Sequence, residues 1–182
     1  FCPSAISAPR GITARAPPYD IHGVIYLKHK WKGLLASLAL ALAAGGVGAL
    51  LSGGMGEFDS AAKPPLTPPG WVFPAVWTLL YLCMGTAAWR IWELRCGDRE
   101  LRRSSLRLYA AQLAANALWP ALFFGLGLYW AAAVWLAALL ALVVWTLLAF
   151  RRLDDLAAIL MAPYALWCAF ALYLNIGVAA LN

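Results

Sequence analysis

Three sets of aromatic and amide side chains recur at helical spacing, and they define the chemistry available to this chain. Phe73, Trp77 and Tyr81 lie four apart, continued by Met84 and Ala88. Tyr109, Gln112, Asn116, Trp119 and Phe123 follow at intervals of three and four. Pro163, Trp167, Ala171 and Asn175 lie four apart. Such intervals place side chains on one face of a helix. The rings offer flat apolar surface, and each amide offers a donor and an acceptor. None is a nucleophile or proton exchanger of the ordinary hydrolytic kind. The combination suits binding and orienting a flat, greasy molecule.

The usual catalytic motifs do not occur. The sequence has no HExxH, GxSxG or P-loop spacing, so the common hydrolytic and nucleotide sites are not expected. Cys2, Cys83, Cys96 and Cys168 form no CxxC pair, and two of them fall inside apolar runs. Neither a disulfide framework nor a thiolate metal site follows from that pattern. His22 and His29 both precede the first apolar run.

The elements that carry the stripes are apolar. Of the 182 residues 64% are hydrophobic and 12% are charged, with a mean hydropathy of +0.74. Soluble domains are nearer 45–50% apolar and about 25% charged, so this is an integral membrane protein. The net charge of +6 comes from residues between apolar runs. It reads as membrane-flanking charge, and no nucleic-acid partner is expected.

Five apolar runs follow one another, at roughly 33–52, 71–88, 108–125, 128–150 and 156–181, and none contains Asp, Glu, Lys, Arg or His. About 20 residues cross ~30 Å of hydrocarbon as a helix, and backbone in lipid must be bonded internally. The fold class expected is an all-α membrane protein, a bundle of five transmembrane helices over residues 33–182. Thirteen of the 14 basic residues fall before the first run or in the second and fourth connections; Lys63 alone is on the other side. In a bacterial inner-type membrane that asymmetry places the N-terminus in the cytoplasm. Residues 1–32 read as a tail, disordered or processed. Phe1 is not an initiator methionine, and Arg10 and Arg15 with no acid before Asp20 also fit a transit peptide.

Within the spans, Gln112, Asn116 and Asn175 must face the interior, because an unpartnered amide in hydrocarbon costs roughly 2–7 kcal/mol. Each taken alone fits interhelical hydrogen bonding as well as a pocket. Trp71, Tyr129, Trp130 and Trp145 stand at span ends, where aromatic belts occur; Trp77 and Trp167 lie deeper. Pro120 frees the carbonyl of Asn116, four residues earlier, which gives either a polar spot in mid-membrane or a packing kink. Ala41, Gly45, Ala49 and Gly53 form a stripe of small residues. It admits close approach of another helix, within the bundle or across a dimer. The fourth run has almost no polar atoms and reads as a lipid-facing or packing helix.

Three segments together carry a family resemblance: KPPLTPPGWVFPAVWTLLYLCMG from Lys63, YAAQLAANALWPALFFG from Tyr109, and APYALWCAFALYLN from Ala162. In this order, over residues 34–182, they resemble the TspO/MBR family of translocator and tryptophan-rich sensory proteins, with FPAVWT nearer the bacterial form. The resemblance implies a five-helix bundle, often a homodimer, with a pocket beneath the first loop. It also implies a porphyrin such as protoporphyrin IX or haem, a sterol or another aromatic molecule as ligand, with no required cofactor. Trp77, Tyr81, Asn116, Trp119, Trp167 and Ala171 match pocket positions, and Phe58 matches the loop aromatic that covers the pocket. The chain departs at Leu66 and Glu57, where the family commonly has Trp. No basic residue follows Tyr173, so the animal sterol motif does not carry over.

The function expected is therefore binding of tetrapyrroles and similar hydrophobic ligands, as sensor, carrier or regulator. The residues concerned are Phe58, Phe73, Trp77, Tyr81, Gln112, Asn116, Trp119, Phe123, Trp167 and Ala171. The alternative is light-dependent porphyrin breakdown with the pocket tryptophans as redox partners. An ion-coupled exporter would ordinarily need an ionisable residue within the spans, and the runs have none. The resemblance fits a bacterial envelope membrane or, in a eukaryote, an organelle membrane such as the mitochondrial outer membrane.

Overall fold

The computed structural model describes residues 21–54, 60–94 and 98–182, with side chains from residue 31 onward. Among the described residues five long α-helices follow in order: α1 Ile21–Leu51, α2 Val72–Glu93, α3 Arg99–Pro120, α4 Tyr129–Arg151 and α5 Asp155–Leu181. A π-helical turn, Ala121–Gly125, continues α3. No strand occurs among the described residues.

The apolar runs set the helices, but the helix ends follow capping chemistry. Asp98 caps α3 by accepting from the Glu100 and Leu101 amides, and Asp154 caps α5 through the Leu156 and Ala157 amides. Both satisfy donors that have no partner within the first turn. As a result α3 begins nine residues before the apolar run that opens at Leu108. Helix α1 likewise extends ahead of its run to Ile21, so residues 21–32, expected in the tail, are helical. No proline interrupts the chain between Pro18 and Pro64, and the helix needs only that continuity, not apolarity. Four helices, α1, α2, α4 and α5, have stretches long and apolar enough to cross a membrane. The exception is α3, whose first half carries Arg99, Glu100, Arg102, Arg103 and Arg107.

The helices pack in a ring: α1 touches α2 and α3, α2 touches α5, α5 touches α4, and α4 closes onto α3. Polar side chains point inward. Gln112, Asn116 and Asn175 are at most 2% exposed, while Leu50, Val134 and Leu166 are at least 73% exposed. An apolar exterior over a partly polar interior suits a lipid surround. The α1–α2 contact is close because Gly85 lies against α1: a Cβ there would stand 3.0 Å from Leu38 Cα. The Ser37 hydroxyl, one residue away, donates to the Gly85 carbonyl at 2.7 Å. Of the small stripe of α1, Ala41 is fully buried in the bundle, whereas nothing lies within 4 Å of a Cβ placed at Gly53.

At the basic end, Arg90 of α2 bonds Asp154 at 2.8 Å while the same carboxylate caps α5. This one side chain fixes both the start of α5 and its neighbour. Asp154→Ala is expected to cost about 1–2 kcal/mol, the usual worth of a lost N-cap. Asp154→Asn should recover most of it, because the amide oxygen still caps. Unfolding by SDS titration in mixed micelles measures the difference.

Candidate functional site

A cavity of about 440 Å³ lies between α1, α2 and the end of α3. Its α2 wall is Phe73, Pro74, Trp77, Thr78 and Tyr81; its α3 wall is Asn116, Trp119 and Pro120, with Phe124 from the π-helical turn. Helix α1 contributes Leu42, Gly45, Gly46 and Ala49, with Ser52 just beyond its end. The small side chains of α1 leave the space that the rings of α2 and α3 face. Leu42, Gly46, Ala49, Pro74 and Thr78 are exposed, so the cavity opens sideways between α1 and α2.

The aromatic wall is held in place. Trp77 stacks on Tyr81 with ring centroids 5.7 Å apart, and its edge meets Tyr164 of α5 at 6.2 Å. Asn116 Nδ2 donates to the Tyr81 hydroxyl at 3.2 Å. Trp119 Nε1 donates to Asn175 Oδ1 at 3.1 Å, and Asn175 Nδ2 donates to the Tyr129 carbonyl at 2.8 Å. Helices α3, α4 and α5 are tied by that single amide. Trp119 also stacks on Phe123 at 5.2 Å. The expected disturbance at Pro120 takes the form of the π-helical turn that follows it. Turns of this kind widen a helix locally, and this one brings Phe124 to the cavity.

The residues expected from sequence divide clearly. Phe73, Trp77, Tyr81, Asn116 and Trp119 line the cavity. Phe123 lies behind Trp119, against Phe124 and Tyr129. Gln112 is fully buried, has no hydrogen-bond partner among the described residues, and is not in the lining. Trp167 meets Phe73 edge-on at 6.2 Å, on the α5 side, and Ala171 is buried in the core; neither reaches the cavity. Phe58 lies outside the described residues. The α1 wall, Pro120 and Phe124 complete the site. Of these, Gly45 and Ala49 carried a signal, as members of the small-residue stripe.

The described part of the first loop is fastened to α5. The Tyr173 hydroxyl donates to the Pro65 carbonyl at 2.9 Å, and Asn182 exchanges two hydrogen bonds with the Ala62 backbone, both 3.0 Å. No residue from 60 to 71 lines the cavity. Tyr173, which lacks the basic residue of a sterol motif, works here as a loop tether.

A bundle of apolar helices with a lateral, aromatic-walled cavity marks an integral membrane protein. The TspO/MBR family model matches residues 37–181, and the chain belongs to that family. It is 38% identical over 152 residues to the tryptophan-rich sensory protein of Cereibacter sphaeroides, covering 84% of this chain and 92% of the relative. It is 38% identical over 125 residues to the tryptophan-rich protein TspO of Chlorobaculum tepidum, covering 69% and 78%. The translocator protein of Ovis aries is 39% identical over 118 residues, covering 65% and 70%.

Proposed function

We propose that this protein binds flat hydrophobic ligands of the porphyrin class in the cavity between α1, α2 and α3. It then acts as a membrane sensor, carrier or regulator of those molecules. The observation that carries the reading is the Trp77–Tyr81 stack, with Asn116 on the Tyr81 hydroxyl, facing a cavity of about 440 Å³. Ligand sites commonly measure 300–1,000 Å³ with apolar walls and few polar groups. The relatives are a sensory protein and a translocator protein by name, in agreement with this role. In the same reading all five helices span the bilayer, α3 through its apolar half and the π-helical turn. The N-terminus faces the basic side, and two copies associate as a homodimer.

The test is a titration of the purified protein with protoporphyrin IX in the dark, followed by tryptophan quenching. Trp77→Phe is expected to weaken binding about tenfold, a loss of roughly 1.4 kcal/mol of stacking and contact. Trp167→Phe should change it by less than about twofold, because Trp167 is outside the cavity. An unchanged affinity in Trp77→Phe would remove this cavity as the site. The stacked Trp77–Tyr81 pair also favours the second reading, light-driven porphyrin breakdown. Illumination decides: bleaching no faster than in detergent alone leaves binding as the function. Accelerated bleaching that Trp77→Phe abolishes establishes the enzymatic role.

A further inference from the structure

A second groove lies at the basic end of the bundle, between α3 and α4. It measures about 430 Å³ and is lined by Ser104, Arg107, Leu108 and Ala111 of α3 with Trp145 and Ala149 of α4. Its polarity is one-sided. Ser104 and Arg107 lie one turn apart at the end nearer the start of α3, and the other four residues are apolar. Ala111 and Ala149 are small and leave a channel between the helices. Trp145, 63% exposed, stands as its outer wall.

Arg107 differs from the three engaged arginines at this end of the bundle. Arg90 is bonded to Asp154, Arg103 to Glu100, and Arg102 to the Leu94 carbonyl. Arg107 has no ion-pair or hydrogen-bond partner among the described residues. Its position is therefore a free positive charge at the head of an apolar channel. Arg151 and Arg152 end α4 on the same side of the bundle, so the surrounding field is positive too. The Ser104 hydroxyl already donates to the Leu101 carbonyl, which leaves its oxygen to accept from a headgroup hydroxyl.

We propose that this groove is a binding site for an anionic phospholipid. The phosphate rests on Arg107, and one acyl chain runs between Leu108, Ala111, Trp145 and Ala149. Charge complementarity selects the headgroup, and the apolar walls select a molecule with a chain. A soluble phosphate would use only one end of the groove. The site is separate from the cavity of α1, α2 and α3 and shares no lining residue with it.

Native mass spectrometry of the full chain, released from micelles containing equal phosphatidylglycerol and phosphatidylcholine, tests the assignment. The parent protein should retain phosphatidylglycerol preferentially. Arg107→Gln should lower the retained ratio about fivefold, the effect of removing one basic residue at an anionic surface. Ala111→Phe fills the channel from an exposed position with the charge intact, and should also release the bound phosphatidylglycerol. Lys32→Gln removes a basic residue from α1 and should leave the ratio unchanged. The proposal is overturned if both groove variants keep the parental ratio. It is equally overturned if Lys32→Gln lowers the ratio as much as Arg107→Gln, or if inorganic phosphate alone displaces the lipid.

Discussion

Gly45→Ala is expected to weaken porphyrin binding about tenfold or more, roughly 1.4 kcal/mol, while the helices stay assembled. A Cβ at this position would stand 2.3 Å from Cε2 and 2.7 Å from Cζ of Tyr81. Carbon atoms pack at about 3.5–4.0 Å, so the ring must move. Tyr81 is not free to do so without loss, because it stacks on Trp77 and accepts from Asn116. Any displacement disturbs the three side chains that form the aromatic wall, and the added methyl group also occupies cavity volume. Overpacking of this kind costs about 1–3 kcal/mol. Replacing Gly by Ala within a helix returns up to about 1 kcal/mol of propensity, so global unfolding is not the expected outcome. Gly46→Ala is the control: a Cβ there meets nothing within 4 Å, although the residue lines the same cavity. Dissociation constants from tryptophan quenching, with helicity from circular dichroism, separate the two. Equal affinity in Gly45→Ala and the parent would show that Tyr81 does not shape the binding site.

The sequence specified individual helix faces well and their neighbours poorly. Phe73, Trp77 and Tyr81 share a face of α2, and Asn116 and Trp119 share a face of α3, because spacing of three and four fixes that regardless of context. Both faces meet at the cavity. The stripe containing Trp167 and Ala171 looked equivalent, but periodicity says nothing about which helix a face will meet. In the ring, α5 packs mainly between α2 and α4. Its aromatic face therefore supports Phe73 from behind. Gln112 shares the face of Asn116 but lies one turn nearer the basic end, where the interior has closed into packed core. The α1 wall was hard to read for a different reason. Gly45, Gly46 and Ala49 define the site by leaving room, and a small side chain gives the same signal whether it admits a helix or a ligand. The charges of α3 obscured its length in a comparable way, since the Asp98 cap and a continuous backbone extend the helix well beyond its apolar half.

Asn175→Leu is expected to destabilise the bundle by about 1–3 kcal/mol, because it strands one buried donor, the Trp119 N–H. Trp119 Nε1 loses its acceptor, while the part-buried Tyr129 carbonyl loses its link to α5 and keeps the backbone donor of the first turn of α4. Asn175 is 1% exposed and Trp119 is 6% exposed, so lipid and protein rather than water surround the orphaned N–H. Leucine has the branching and heavy-atom count of asparagine and is the larger side chain, so none of the loss comes from a cavity. The pairing itself can be isolated. Trp119→Phe removes the same donor, so the double variant should cost less than the sum of the single ones; coupling in contacting pairs runs about 0.5–3 kcal/mol. Gln112→Leu supplies the opposite case. Both amide atoms of Gln112 are buried without a partner among the described residues, and replacing such a group by an apolar one of similar shape is neutral or stabilising. SDS titration of the four variants should order Asn175→Leu as the least stable single variant and Gln112→Leu as equal to or above the parent. Additive losses at Asn175 and Trp119 would mean that the amide does not hold α3, α4 and α5 together. A large loss at Gln112 would mean that its amide is satisfied by water in the bilayer-embedded protein. The same ordering bears on binding, because Trp119 can present its face to the cavity only while its N–H is held from behind by Asn175.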